Sequence, residues 1–383
     1  MTLFPEGPRA RREYKVRGER PFDFYNSCGR AGYDEFRALV NAWLSALPAP
    51  DQQELIARMR RGSDREFDSG IVELVVHTLL VRLGFEVEVH PQLSHTSRRP
   101  DFLAKLADTD QHIFVEVTTM NPPERTTAER NREDMLFETI NRARLPAGCY
   151  LGYELIEGSP RSPALRRVAS TVEQWAQRNN QLARKAIVSE VFDFDGWTVE
   201  LQLIAGESKK VASRAIGLMG TEARWIAPHL DLRSALERKA RRYGELNAPY
   251  LIVAAEARED MWNTGSSSET MLDALLGDRV FRVVKGRRPT PGRARNGFWF
   301  ARGAPCNQNV SGVLTIPTSQ LWALRSTHHQ ALLAINPWAQ HLLPDEFRRL
   351  RNIGRTDDGW SVQENNLLAD LLDVPEPWPP EEQ

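Results

Sequence analysis

Three carboxylates within one short stretch, Glu73, Asp101 and Glu116, are the side chains whose setting points to chemistry. Glu116 lies in Ile-Phe-Val-Glu-Val-Thr-Thr, which reads as a strand. Ile113, Val115 and Val117 share one face and Phe114, Glu116 and Thr118 the other. A carboxylate between two valines is costly to bury unless a cation or hydrogen-bond donors meet it. Asp101 follows Pro100 and opens a second strand whose next members, Phe102, Leu103 and Ala104, are apolar. Glu73 falls on a helix, just outside the apolar stripe of Val72, Val75, Val76, Leu79, Leu80 and Leu83. Oxygens from adjacent strands and a neighbouring helix are hard ligands suited to Mg2+. Such an ion can turn water into a hydroxide nucleophile and neutralise charge developing on a phosphodiester.

The elements that must position these groups follow from periodicity and punctuation. The helix bearing Glu73 stops at Gly84, and Phe-Glu-Val-Glu-Val follows as a strand. Further strands are read over residues 100–106, 113–119 and 150–156, with helices over 129–142 and 163–179. Runs 188–194 and 197–204 flank Asp195-Gly196, a strong hairpin signal. A helix over 232–243 leads into a buried-looking strand at 249–255, and 310–316 is another strand; both are expected in the same sheet or in a smaller companion. Upstream, helices are read over 33–47 and 51–61, after an irregular opening of 30 residues. The expected architecture is an α/β fold with a mixed central sheet flanked by helices. Its divisions are an N-terminal helical layer (1–62), a core (63–260), a β-containing extension with a basic loop (261–355) and an acidic, Pro-rich, solvated tail (356–383).

Helix with Glu73, strand, Pro100-Asp101, then Glu116-Val117-Thr118: this order resembles the PD-(D/E)XK nuclease superfamily. That superfamily includes restriction endonucleases, Holliday-junction resolvases and phage-defence nucleases. Over residues 66 to 145 the chain is also similar to a bacterial group that sets a Glu-Leu helix ahead of Pro-Asp-Phe. The resemblance implies a restriction-endonuclease-like core in which Asp101 and Glu116 hold Mg2+ or Mn2+. The main-chain carbonyl of Val117 would be a third ligand, and Glu73 would support the site. The family's lysine, two residues after Glu116, is replaced by Thr118, whose neutral hydroxyl cannot supply its positive charge. Lys105, the one lysine between residues 16 and 184, lies four residues beyond Asp101 on the same face of its strand, from which it could reach the site. Arg99, Arg130 and Arg132 are other sources of charge, although arginine serves better as a phosphate clamp than as a tunable acid.

Nucleic-acid contacts are read at Arg98 and Arg99, beside the Pro-Asp pair, and at Arg130 and Arg132 on the helix that follows. They are read also in the basic stretch of Lys285, Arg287, Arg288, Arg293 and Arg295, which precedes Phe298, Trp299 and Phe300 as stacking residues. Arg238, Arg241 and Arg242 read as the wet face of one helix. His77, four residues after Glu73, reads as a helix-edge side chain able to hydrogen-bond that carboxylate.

Composition narrows the class. Fifty basic residues, 43 of them arginine and seven lysine, stand against 51 acidic ones. At a net charge of −1, any polyanion must be met by a local patch. No apolar run is long enough to span a membrane, and the first 20 residues carry charges where a secretion signal needs an apolar stretch, so a cytoplasmic protein is expected. The eight histidines and three cysteines show no zinc spacing, and neither a phosphate-binding P-loop nor a nucleophile elbow occurs. The leading expectation is a metal-dependent nuclease acting on DNA, in phage defence by the resemblance. The competing one is an inactive nuclease-fold module that binds nucleic acid or scaffolds a protein partner or a second copy. A third is a nuclease that a partner or small-molecule signal must activate.

Overall fold

Four helices precede the first strand: α1 (Pro21–Ser27), α2 (Tyr33–Ser45), α3 (Ala49–Arg61) and α4 (Asp64–Arg82). The structure, a computed structural model, describes the whole chain except residues 108, 121–126, 207–213, 220–227, 257–267, 283–287, 289, 318–324, 326–329, 358 and 379–383. α4 begins where the Ser63 backbone N–H donates to Glu66 Oε2 at 2.6 Å, with the Ser63 hydroxyl 3.0 Å from the same oxygen. These contacts hold the Glu66 carboxyl below its usual value. Gly70 lets α3 pack tightly on α4, because a Cβ at that position would lie 2.6 Å from Met59 Cγ. The opening segment is more ordered than its composition predicts. Leu3 and Phe4 are fully buried and α1 packs on α4, because Phe22 and Phe36 pack against Phe4 and Tyr25 stacks on Phe67.

After α4 come β1 (Phe85–Val89), β2 (Phe102–Leu106) and β3 (His112–Met120), an antiparallel meander. The chain then builds a separate unit from residues 123–226, joined by residues 14–19. It contains α5 (Thr127–Asn141), β4 (Cys149–Glu157), α6 (Leu165–Ala183), β5 (Val188–Phe194), β6 (Trp197–Ala205) and β7 (Ile216–Met219). Its sheet has the order β5-β6-β4-β7, and Leu136, Val172, Trp175, Leu201 and Leu203 lie in a core of its own. The predicted β5–β6 hairpin is present, turning at Asp195 (φ +61°) and Gly196 (φ +87°), the positive pair that a tight two-residue turn requires.

The remaining elements return to the first unit: α7 (Pro228–Ala240), β8 (Tyr250–Glu256), α8 (Ser268–Leu276), the pairs β9 (Arg279–Arg282) with β10 (Thr290–Arg293) and β11 (Phe300–Ala301) with β12 (Ala304–Pro305), then β13 (Gly312–Pro317), β14 (Leu332–Ile335), β15 (Asn352–Thr356), β16 (Gly359–Gln363) and α9 (Leu368–Leu371). The central sheet is mixed and has eight strands, in the order β1-β2-β3-β8-β13-β14-β15-β16. Both downstream strands read from the sequence join it in parallel, β8 beside β3 and β13 beside β8. One face buries Val115, Val117, Leu251 and Val253 with α2, α3 and α4; the other buries Phe114, Met120, Tyr250 and Ile252 with α7 and α8. The helix-flanked mixed sheet is the architecture expected.

The linear division differs from the one observed. A boundary at residue 260 cuts the sheet between β8 and β13, and a core over 63–260 merges residues of two compact units, one of which has its own hydrophobic cluster. The described part of the tail, up to Trp378, is also not wholly solvated. Val374 and Trp378 are buried, and the Arg325 guanidinium donates to the Val374 carbonyl at 2.6 Å. Trp378→Ala is therefore expected to cost about 2 kcal/mol, the scale of burying one large apolar side chain. Urea unfolding measures it, and an unchanged midpoint would show that Trp378 contributes nothing.

Candidate active site

Strand register brings Asp101 and Glu116 together. β2 and β3 pair with Phe102 opposite Val115 and Leu103 opposite Phe114. One step further along the same pairing sets Asp101 against Glu116. The Val117 backbone N–H donates to Asp101 Oδ2 at 2.6 Å and anchors the carboxyl at the end of the strand. Burial, then the charge of Glu116, push the Asp101 carboxyl from its ordinary 3.8 up to about 7; the Val117 hydrogen bond opposes them, Glu73 adds a smaller push, and Lys239 opposes more weakly still. Such like-charge crowding in a buried site is a hallmark of functional carboxylates.

Glu116 is 1% exposed and is met by three donors from the end of α7 and the turn after it. Lys239 Nζ and the Tyr243 hydroxyl form short contacts to Oε1 and Oε2 respectively, and an Arg242 guanidinium nitrogen lies 3.3 Å from Oε1. The Tyr243 hydroxyl also lies 2.9 Å from the Arg99 carbonyl; having one proton, it favours the charged acceptor. Burial and the hydrogen bond to Glu116 raise the Tyr243 phenol far above its usual value, and burial with the Glu116 charge does the same for Tyr250. Tyr250 in turn holds the helix end, its hydroxyl donating to the Lys239 carbonyl at 3.2 Å. The segment before Asp101 clasps the same turn: Arg98 donates to the Arg242 carbonyl at 3.0 Å and His95 Nε2 lies 2.8 Å from the Tyr243 carbonyl.

The other predicted residues divide clearly. Glu73 is held by an ion pair to Arg58 and by the Ser69 hydroxyl at 3.2 Å, at a cleft lined by Asp51, Glu54, His90 and Phe102. It is near enough for its charge to act on Asp101. Thr118 is buried in β3. Val117 donates its backbone N–H to the Asp101 carboxyl. Lys105 does not join the site. It is exposed and pairs with His112, four residues or about 13 Å along the strand from Asp101, so sharing a face does not bring it near. His77 is not an edge residue: it is 2% exposed, its ring lies tilted beside Phe102, and Nδ1 has no hydrogen-bond partner.

Among the basic candidates, Arg98 and Arg99 are exposed beside Asp101. Arg130 and Arg132 lie on α5, in the separate unit. Arg288 and Arg295 are exposed, while Lys285 and Arg287 lie outside the described residues. Arg293 is committed to Asp273 at 2.7 Å and to the Gly277 carbonyl at 2.8 Å. Phe298 and Trp299 are buried against α8 and cannot offer faces for base stacking, because their backbone N–H groups bond to α8 carbonyls and draw the rings into the core.

The residues missed in the sequence are Lys239, Arg242 and Tyr243. Their i, i+3, i+4 spacing ahead of a strand that pairs with β3 is the signal that could have found them, in place of the wet face read for Arg242. Among the described residues, no group of three or more His, Cys, Asp or Glu has the geometry to hold a metal ion, and no helix is long and apolar enough to cross a membrane. Two carboxylates still fit Mg2+, which commonly keeps several waters and uses one or two carboxylates together with substrate phosphates. No protein-family model, curated protein or solved structure matches the chain.

Proposed function

We propose that the protein is a metal-dependent nuclease of the PD-(D/E)XK type that hydrolyses phosphodiester bonds, with DNA as substrate. The observation that carries this reading is the pair of carboxylates, half-buried Asp101 and buried Glu116, set opposite one another on adjacent strands, with the Glu116 charge raising the cost of ionising Asp101. The arrangement of the first unit supports it: α4 bearing Glu73, three antiparallel strands and, beyond the inserted unit, α7 and then β8 parallel to β3. Asp101 and Glu116 would hold Mg2+ or Mn2+, which when bound supplies an acidified water and neutralises charge on the phosphodiester. Lys239 meets the Glu116 charge before metal is bound, which Thr118 cannot do, and exposed Arg98 and Arg99 would meet the phosphate backbone.

The test is incubation of the pure protein with plasmid and oligonucleotide DNA and with RNA, in Mg2+, Mn2+ or EDTA. Cleavage is expected with metal and absent with EDTA, and the Asp101→Ala variant is expected to be inert. Cleavage that survives Asp101→Ala would refute the reading. Salt-sensitive DNA binding without turnover would favour the inactive module instead.

A further inference from the structure

Both oxygens of Glu116 are taken. Oε1 carries the Lys239 ammonium with Arg242 beside it, and Oε2 carries the Tyr243 hydroxyl, around a side chain that is 1% exposed. A hydrated divalent ion has no free edge of this carboxylate to approach. Of the three donors, Tyr243 is fixed: its ring packs edge-on against Tyr250 at 6.0 Å, and its carbonyl is tied to His95. Arg242 lies farther out, its side chain 43% exposed and its guanidinium over the Tyr243 ring. Lys239 blocks the oxygen most directly and is also free to leave, with a flexible four-carbon stem, a strongly hydrated head group and a side chain 17% exposed, which gives it a route to water.

We propose that Lys239 is the resident counter-ion of Glu116 and is exchanged for the divalent cation when the site is loaded. The inference rests on the metal-dependent reading above and adds how loading is controlled. No covalent bond changes: the ammonium keeps its proton and leaves Oε1 for solvent. Lys239 therefore acts as a positioning residue that holds the Glu116 carboxylate in place while no metal is bound, at the expense of metal affinity.

Two measurements on the full chain test this. The first titrates Mn2+ against wild type, Lys239→Met and Asp101→Ala, reading free Mn2+ by electron paramagnetic resonance. Lys239→Met is expected to bind at least roughly ten-fold more tightly than wild type, the factor given by removing a competitor worth about 1.4 kcal/mol, and Asp101→Ala to lose binding. The second needs no variant. The wild-type protein is treated with an amine-acylating reagent with and without Ca2+ or Mn2+, and its seven lysines are mapped by mass spectrometry. Lys239 alone is expected to become several-fold more reactive when metal is added. Unchanged labelling of Lys239 in a protein that binds Mn2+, or a Lys239→Met variant that binds no better than wild type, overturns the exchange while leaving the nuclease reading intact. Failure of both wild type and variant to bind Mn2+ overturns the two together.

Discussion

Asp101→Asn is expected to abolish cleavage and, above pH 7, to make the protein more stable than wild type. The carboxyl ionises near 3.8 in the unfolded chain and near 7 in the folded one, where burial and Glu116 hold it protonated. Its contribution to stability is thus fully present below pH 3.8 and is lost as pH rises through 7. A shift of about three units at about 1.36 kcal/mol each bounds the loss near 4 kcal/mol. Because Asp101 is half-buried and water screens its charge, about 2 kcal/mol is the expected gain for asparagine at pH 8 relative to pH 5. Asparagine keeps an acceptor for the Val117 N–H and presents a neutral donor toward Glu116. Thermal and urea unfolding at the two pH values would read the difference. A variant whose advantage does not grow between pH 5 and pH 8 contradicts the assigned environment of Asp101.

His77→Leu is expected to flatten the acid side of the stability curve. Burial lowers the His77 imidazole from 6.5 to about 4, so between these values the unfolded chain binds a proton that the folded one refuses. The sign is opposite to that of Asp101: stability is retained above pH 6.5 and falls as pH drops toward 4, by about 3 kcal/mol in total. Leucine removes that loss and also the unpaired Nδ1, whose burial costs about 1–3 kcal/mol at any pH. The variant should be modestly more stable than wild type at pH 7, with the gap widening steadily to pH 4.5. A constant gap across that range would place a partner or water on the ring and sink the account.

Legibility followed locality. β3 and its two faces were readable because Ile113 to Thr118 alternate without interruption, and Asp195-Gly196 announced its hairpin through φ values that few residue pairs tolerate. β14 offers only Leu-Leu-Ala-Ile and β15 only Asn-Ile-Gly-Arg-Thr, too short for any period to emerge, and the sheet alone defines them as strands. α1 is seven residues long and draws its stability from aromatic neighbours rather than from its own pattern. At the site, Asp101 and Glu116 were visible because hairpin pairing is local. Lys239 and Tyr243 were not, since the partners of a buried charge are fixed by tertiary packing that no window of the sequence spans.

The long insertion between β3 and α7 has a consequence for synthesis. Glu116 is 123 residues ahead of Lys239, and β8, the strand that closes over β3, comes later still. At about 5–20 residues per second, a ribosome leaves the acidic strand without its basic counterpart and with an open edge for roughly 6–25 s. The nascent chain can complete its N-terminal helices and the inserted unit in that interval, but the central sheet must wait. Slow translation between codons 123 and 250 should therefore expose β3 to chaperones and to intermolecular pairing more than a pause elsewhere.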